Sequence, residues 1–244
     1  YIGLHYGAAE PGAAIASVIT LDVNPSLNIV MDTSDKVIEV QPLNEDARTV
    51  IGDMDFAGAN LDVTVNALIG SMLVNGYLDD IRNSILVSVA NGDTAKAESL
   101  QQQVSDMINS AVGEGGFEAS VLTQTVTSTS ETASLAQQYG ISVGKASLIQ
   151  EVIAQDSTLT FASLAPLSVN EIALIAESRH LTTQAVTQTG TASTKAYITA
   201  EEAKNAALAH AGIAESSVAQ LEIEFDSEDG LMVYEVEFYT QDYK

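Results

Sequence analysis

Hydrophobic and polar positions alternate early in the chain and turn helical later. Residues 1–12 (YIGLHYGAAEPG) have no period and read as a tether. Ala13 to Val23 (AAIASVITLDV) is β-branched and predicts a strand. Asn24-Pro25 interrupts it. In SLNIVMD, Leu27, Ile29 and Met31 share one face, a period of two. Thr33 to Asp35 reads as a turn, and KVIEVQPL as a third strand, so the opening is an antiparallel meander. A short helix follows over Asn44 to Gly52 with Asn44 as its cap, then a longer one over Leu61 to Leu78. NSILVSVA (Asn83 to Ala90) is an apolar strand. Asp93 or Thr94 caps a helix that runs to about Val112, where GEGG stops it. Phe117 to Thr127 predicts another strand. Helices are then expected over Ser130–Tyr139, from Ser142 through Ile153, just before Pro166, and from Ser168 to about Arg179.

Residues 182–196 (TTQAVTQTGTASTKA) have the composition of a linker. Beyond it, Thr199 caps a helix that Gly212 stops, and VAQLEIEF and LMVYEVEFY form two alternating strands joined by DSEDG as a hairpin. The fold class is therefore α+β: a mixed β-sheet flanked by helices over 13–181, then a small helix-plus-hairpin unit over 197–244.

Composition narrows the function. Apolar residues make up 46% of 244, which suffices for a packed core, but Trp is absent and aromatics are 5%, so that core is aliphatic. Nine Lys and Arg against 33 Asp and Glu give a net charge of -24, which argues against nucleic-acid and anionic-lipid partners. Without Cys there is no disulfide framework, thiol nucleophile or thiolate metal site. His5, His180 and His210 lack ligand spacing, and Asp226, Glu228 and Asp229 belong to the hairpin turn, so neither metal nor cofactor is expected. No phosphate-binding glycine loop and no GxSxG elbow occurs, which leaves a secreted hydrolase unsupported. No apolar run is long enough to span a membrane, and no signal peptide is visible. The chain begins at Tyr1 and reads as a piece of a longer protein; any membrane anchor would lie before Tyr1.

Asn24-Pro25 carries the candidate chemistry. Pro25 has no N–H, so the usual attack of the following backbone nitrogen on the Asn side chain is closed. The reverse is open: the Asn24 carboxamide attacks its own carbonyl carbon, Pro25 nitrogen leaves, and a succinimide forms. The nucleophile is intramolecular, but a neutral amide is weak and needs a base, oxyanion donors and an acid. A regular strand would put Asp22, Asn24 and Ser26 on one face, with Asp22 orienting or deprotonating the amide and Ser26 near the oxyanion. Thr20 and Asn28 lie next. By itself, Asn-Pro is far more often only a turn.

The region 13–181 resembles the middle, extracytoplasmic domain of RsgI-like anti-sigma factors. LDVNPS (Leu21 to Ser26), KVIEVQPLNEDA (Lys36 to Ala47), NALIGSMLVNGYL, SILVSV, YGISVGKASLIQEVI and LSVNEIALI carry the resemblance in this order. It implies self-cleavage at Asn24-Pro25; Asp22 and Ser26 join Asn24 and Pro25 as site residues on strand alternation alone. It also implies a single-pass membrane parent with this region on the extracytoplasmic face. The sigma factor would be bound only through a cytoplasmic segment absent here, and the further partners would be site-1 and intramembrane proteases. Residues 197–244 resemble a truncated PepSY domain through ITAEEAKNAAL and LMVYEVEF. The cleaved N-terminal strand could stay bound non-covalently. Ile15, Val18, Ile19, Leu21 and Val23 bury on the order of 8–15 kcal/mol gross, at about 1.5–3 kcal/mol each. The alternative is a passive binding or protease-inhibitory module that is never cut.

Overall fold

In a computed structural model of the chain, residues 14–127, 129–181, 185–228 and 231–240 are described. The tether, His5 and the tip of the last hairpin fall outside them.

The strands are β1 (Ile15–Asp22), β2 (Ser26–Asp32), β3 (Val37–Pro42), β4 (Ser84–Asn91), β5 (Ser120–Thr125), β6 (Val186–Thr189), β7 (Val218–Glu228) and β8 (Leu231–Thr240). The helices are α1 (Glu45–Ile51), α2 (Leu61–Val74), α3 (Thr94–Glu114), α4 (Ser130–Tyr139), α5 (Val143–Gln155), α6 (Phe161–Leu164), α7 (Val169–Ser178) and α8 (Ala200–Ala211). The first six strands form one mixed sheet in the order β3-β2-β1-β4-β5-β6, antiparallel except for the parallel pair β4 and β5. The expected meander is its β3-β2-β1 half.

β1, the first strand among the described residues, is thus in the middle of the sheet, paired with β2 along one side and β4 along the other. Two cores lie on the two faces of the sheet, and β1 contributes apolar side chains to one of them. Ile19 and Leu21 join Leu27, Ile29, Ile85 and Val87 beneath α2 and α3. The opposite face packs Leu86 and Leu122 against α5 and α7. Helices therefore cover both faces, and β4 is buried on both. Capping follows the sequence closely: Asn44, Asp93, Ser142, Ser168 and Thr199 each accept a backbone N–H of the first turn of their helix.

Two features differ from the sequence reading. Residues 182–196 are not a bare linker: β6 lies within them and forms an edge of the sheet, because its Thr and Val positions favour extended backbone and Val186 reaches the core. The chain after β6 is also fastened, since Asn83 Nδ2 donates to Thr191 O at 2.9 Å and Ser193 N donates to Asn83 Oδ1 at 2.8 Å. The second feature is the end of α2, which stops at Val74 rather than Leu78. The turn behind it needs Gly76 at φ 71°, a conformation that glycine adopts without strain.

Candidate functional site

Asn24-Pro25 forms the turn of the β1–β2 hairpin. Asp22 pairs with Ser26, and Val23, Asn24 and Pro25 bridge them, with Val23 N–H donating to Pro25 O at 3.0 Å. This geometry corrects the expectation that Asp22, Asn24 and Ser26 share one face. The strand ends at Asp22, and the reversal swings Asn24 outward. Asp22 and Ser26 are buried together on the α5 side, while Asn24 is exposed at the tip.

What surrounds Asn24 comes from the segment behind β3. Asn44 Nδ2 donates to the Asn24 carbonyl oxygen at 2.7 Å. Asn24 Nδ2 donates to Asp46 Oδ2 at 2.9 Å, and Tyr77 OH donates to Asp46 Oδ1 at 3.1 Å. The position of Asn44 is itself over-determined. Its Oδ1 accepts Ala47 N–H at 2.9 Å as the cap of α1, and Ser26 N–H at 3.2 Å. Two backbone donors thus fix which end of the amide is oxygen and aim its nitrogen at the carbonyl of the Asn24-Pro25 bond. The hairpin is further tied down by Leu43 N–H to Ser26 O at 2.8 Å. Burial and the neighbouring Asp46 carboxylate push the Tyr77 phenol up, so it remains a donor at neutral pH.

Chemically, this is a carbonyl with a hydrogen-bond donor on its oxygen and a carboxamide with a carboxylate on its nitrogen, both within one residue. Asn44 stands where an oxyanion donor would, and Asp46 where a base would. Asp22 contributes to neither: its Oδ2 accepts from Ser142 Oγ at 2.6 Å and its Oδ1 has no hydrogen-bond partner. Burial raises the Asp22 carboxyl, while the Ser142 and Ser26 hydroxyls and the Lys145 ammonium draw it back down. Ser26 meets the site through its backbone N–H, and Thr20 Oγ1 bonds Asn28 Oδ1 at 2.8 Å away from it.

The loop that holds Asn24, the segment that caps α1 and the strand β4 all fall inside residues 16–151, which match the model of the anti-sigma factor RsgI-like central domain. That span is more than half of the chain. The chain belongs to this RsgI-like family. Among its relatives, anti-sigma-I factor RsgI7 of Acetivibrio thermocellus is 27% identical over 157 residues, covering 64% of this chain and 28% of the relative. RsgI3 of the same organism is 26% identical over 174 residues, covering 67% of this chain and 27% of the relative. Anti-sigma-I factor RsgI of Bacillus subtilis is 21% identical over 129 residues, covering 52% and 32%. The chain spans about a third or less of the length of these relatives.

The RsgI-like match ends within α5, and α6, α7 and β6 complete the second core beyond it. Among the described residues of this RsgI-like chain, no helix is long and apolar enough to cross a membrane, and no group of three or more acidic or histidine residues is placed to hold a metal. Asn44, Asp46 and Tyr77 were not among the residues that the sequence singled out for chemistry. The signal lay in PLNEDA, where the side chain of one residue is both a helix cap and the hairpin's partner; only the role as cap can be read without coordinates.

Proposed function

We propose that this chain is the extracytoplasmic signal-transmitting region of a membrane-anchored anti-sigma factor, and that it cuts itself once between Asn24 and Pro25. The single observation that carries the reading is the pair of bonds on Asn24, Asn44 Nδ2 to its carbonyl oxygen and its own Nδ2 to Asp46. In the reaction, Asn24 Nδ2 attacks the Asn24 carbonyl carbon and gives its proton to Asp46. The oxyanion develops against Asn44 Nδ2. Its collapse breaks the bond to Pro25, whose nitrogen takes up a proton from Asp46 directly or through water. The products are a fragment ending in a succinimide, which water opens, and a second fragment beginning at Pro25.

The hairpin position gives the cut its meaning. Because β1 is flanked on both sides, the fragments remain joined by two ladders after the bond is gone. An outer stimulus that strips β1 exposes its stub to a membrane-proximal protease, then to intramembrane proteolysis and release of the sigma factor. The names of the relatives support the anti-sigma role of the parent protein.

A second reading rests on the C-terminal unit, which has PepSY-like sequence. A groove of about 460 Å³ between α8 and the β7–β8 hairpin, lined by Tyr197, Ile198, Ala203, Met232 and Tyr234, suits a passive binding or inhibitory module. A denaturing gel separates the two. Self-cleavage yields a large fragment whose first residue is Pro25 and a peptide ending at Asn24, and Asn24→Ala leaves one intact band. A native chain that stays whole through prolonged incubation defeats the first reading and leaves the second.

A further inference from the structure

Asp22 stands two residues before the bond to be cut, so after cleavage it belongs to the outgoing fragment. It is 1% exposed and faces α5. Its Oδ2 accepts from Ser142 Oγ at 2.6 Å, and the same Oγ accepts the Lys145 N–H at 2.8 Å. One hydroxyl therefore joins the last residue of β1 to the first turn of α5. The helix is seated hard against the sheet here. A Cβ on Gly144 would come within 2.2 Å of Ser88 Oγ and 3.4 Å of Asp22 Oδ2. Gln124 Nε2 holds this approach by donating to Ser88 Oγ at 2.8 Å and to Gly144 O at 2.7 Å. Buried Lys145 faces the same carboxylate, as well as Glu171, while its Nζ donates to the carbonyls of Ala165 and Leu167.

None of this serves cyclisation, whose groups lie on the other side of the hairpin. We infer that the Asp22–Ser142 bond is a positioning contact that anchors the cut strand in the sheet. The inference rests on the self-cleavage reading of the Asn24-Pro25 turn. Cutting turns the end of β1 at Asp22 into a free chain end, from which fraying would start. The other side-chain ties of β1 sit elsewhere: Asn91 Nδ2 to Ser17 Oγ at 2.7 Å near its beginning and Thr20 to Asn28 in the middle. Asp22 supplies the fully buried side-chain bond where the new end forms, and pulling it out leaves Ser142 without its acceptor.

The test uses the whole chain with a tag at its N-terminus. Once the native chain has cut itself, Ser142→Ala is expected to release the tagged peptide at least tenfold faster than native, with the same fraction cut. Ser142→Thr, which keeps the hydroxyl, restores native release. Release from Ser142→Ala at the native rate overturns the inference. Because Ser142 also caps α5, a second arm separates the two roles in the uncut Asn24→Ala background. There, amide exchange at Ile19 and Leu21 is followed in Asp22→Ala, Ser142→Ala and the double variant. Each single change speeds exchange at least tenfold, and the double variant speeds it little further; fully multiplicative effects would mean capping alone and also overturn the inference. This arm needs no cleavage, so a native chain that never cuts defeats the self-cleavage reading while the anchor is still decided.

Discussion

One carboxamide, that of Asn44, joins three backbone groups: it caps α1, holds the amide of Ser26 and donates to the Asn24 carbonyl. Substitutions at that residue separate these tasks. Asn44→Asp keeps the cap and the Ser26 contact but replaces the donor with an acceptor. It is expected to slow cutting by about 10²–10³-fold, the usual effect of losing an oxyanion donor, while thermal stability changes little. The measurement is the rate at which the large fragment accumulates after refolding; a native rate in Asn44→Asp refutes the oxyanion assignment. Asp46→Asn removes the carboxylate bonded to the Asn24 carboxamide and, on the proposed mechanism, should slow cutting by about 10²-fold or more. Tyr77→Phe leaves Asp46 in place but unbraced and should give a smaller loss. At this scale the sequence was half legible. The candidate pair Asn24-Pro25 stood out because Pro25 removes the ordinary competing reaction, and the resemblance to a known family pointed to the same bond. The side chains that surround Asn24 did not stand out, because strand alternation was extended through a residue pair that in fact turns the chain.

At the scale of elements, most of the pattern could be read. Period-two runs and capping residues located the strands and helices of the meander and of the helical lobe. What could not be read was pairing across long separations: β1 with β4, and β6 with β5 from inside a stretch that looks like a linker. Both are edge-choice problems that depend on which helices cover which face. The close seat of α5 gives a prediction. Gly144→Ala forces the helix or Ser88 to move and is expected to destabilise the domain by about 1–3 kcal/mol, as overpacking does elsewhere, which chemical denaturation would measure. Strand directions give another. The chain comes in beside Asp32 and Asn91 and leaves β6 at Thr189, next to Val121, at the opposite end of the sheet. Tension between residues 14 and 190 therefore loads both ladders of β1 together, whereas handles at 14 and 91 peel one ladder bond by bond. In the cut protein, force spectroscopy should find a rupture force several-fold higher for the first pair.

For the whole molecule, the small C-terminal unit is fixed to the RsgI-like domain by more than apolar contact. Arg179, at the end of α7, bonds Asp156 behind α5 and Asp226 in β7, and Ser178 Oγ donates to Phe225 O at 2.9 Å. The Thr158 hydroxyl and amide, with Arg179, hold the Asp156 carboxyl down at about 2, against an ordinary 3.8. A depressed carboxyl adds stability that is fully present above its ordinary value and is lost as pH falls through its folded value. Acidification from about 4 to about 2 should therefore loosen this junction. Melting followed through the Tyr197–Phe225–Tyr234 cluster should drop over that range, and the drop should be shallower in Asp156→Asn. The strong negative charge bears on what can approach the molecule.

The central place of β1 has a last consequence. Were the outgoing strand lost, the sheet would not merely shorten at a border. It would fall into a two-strand piece, β2 with β3, and a three-strand piece, β4 to β6, with Ile19 and Leu21 gone from the middle of one core. If the proposed cut takes place, such a device would behave like a fuse: it would fire once, in full, and a new copy would have to be made before it could respond again.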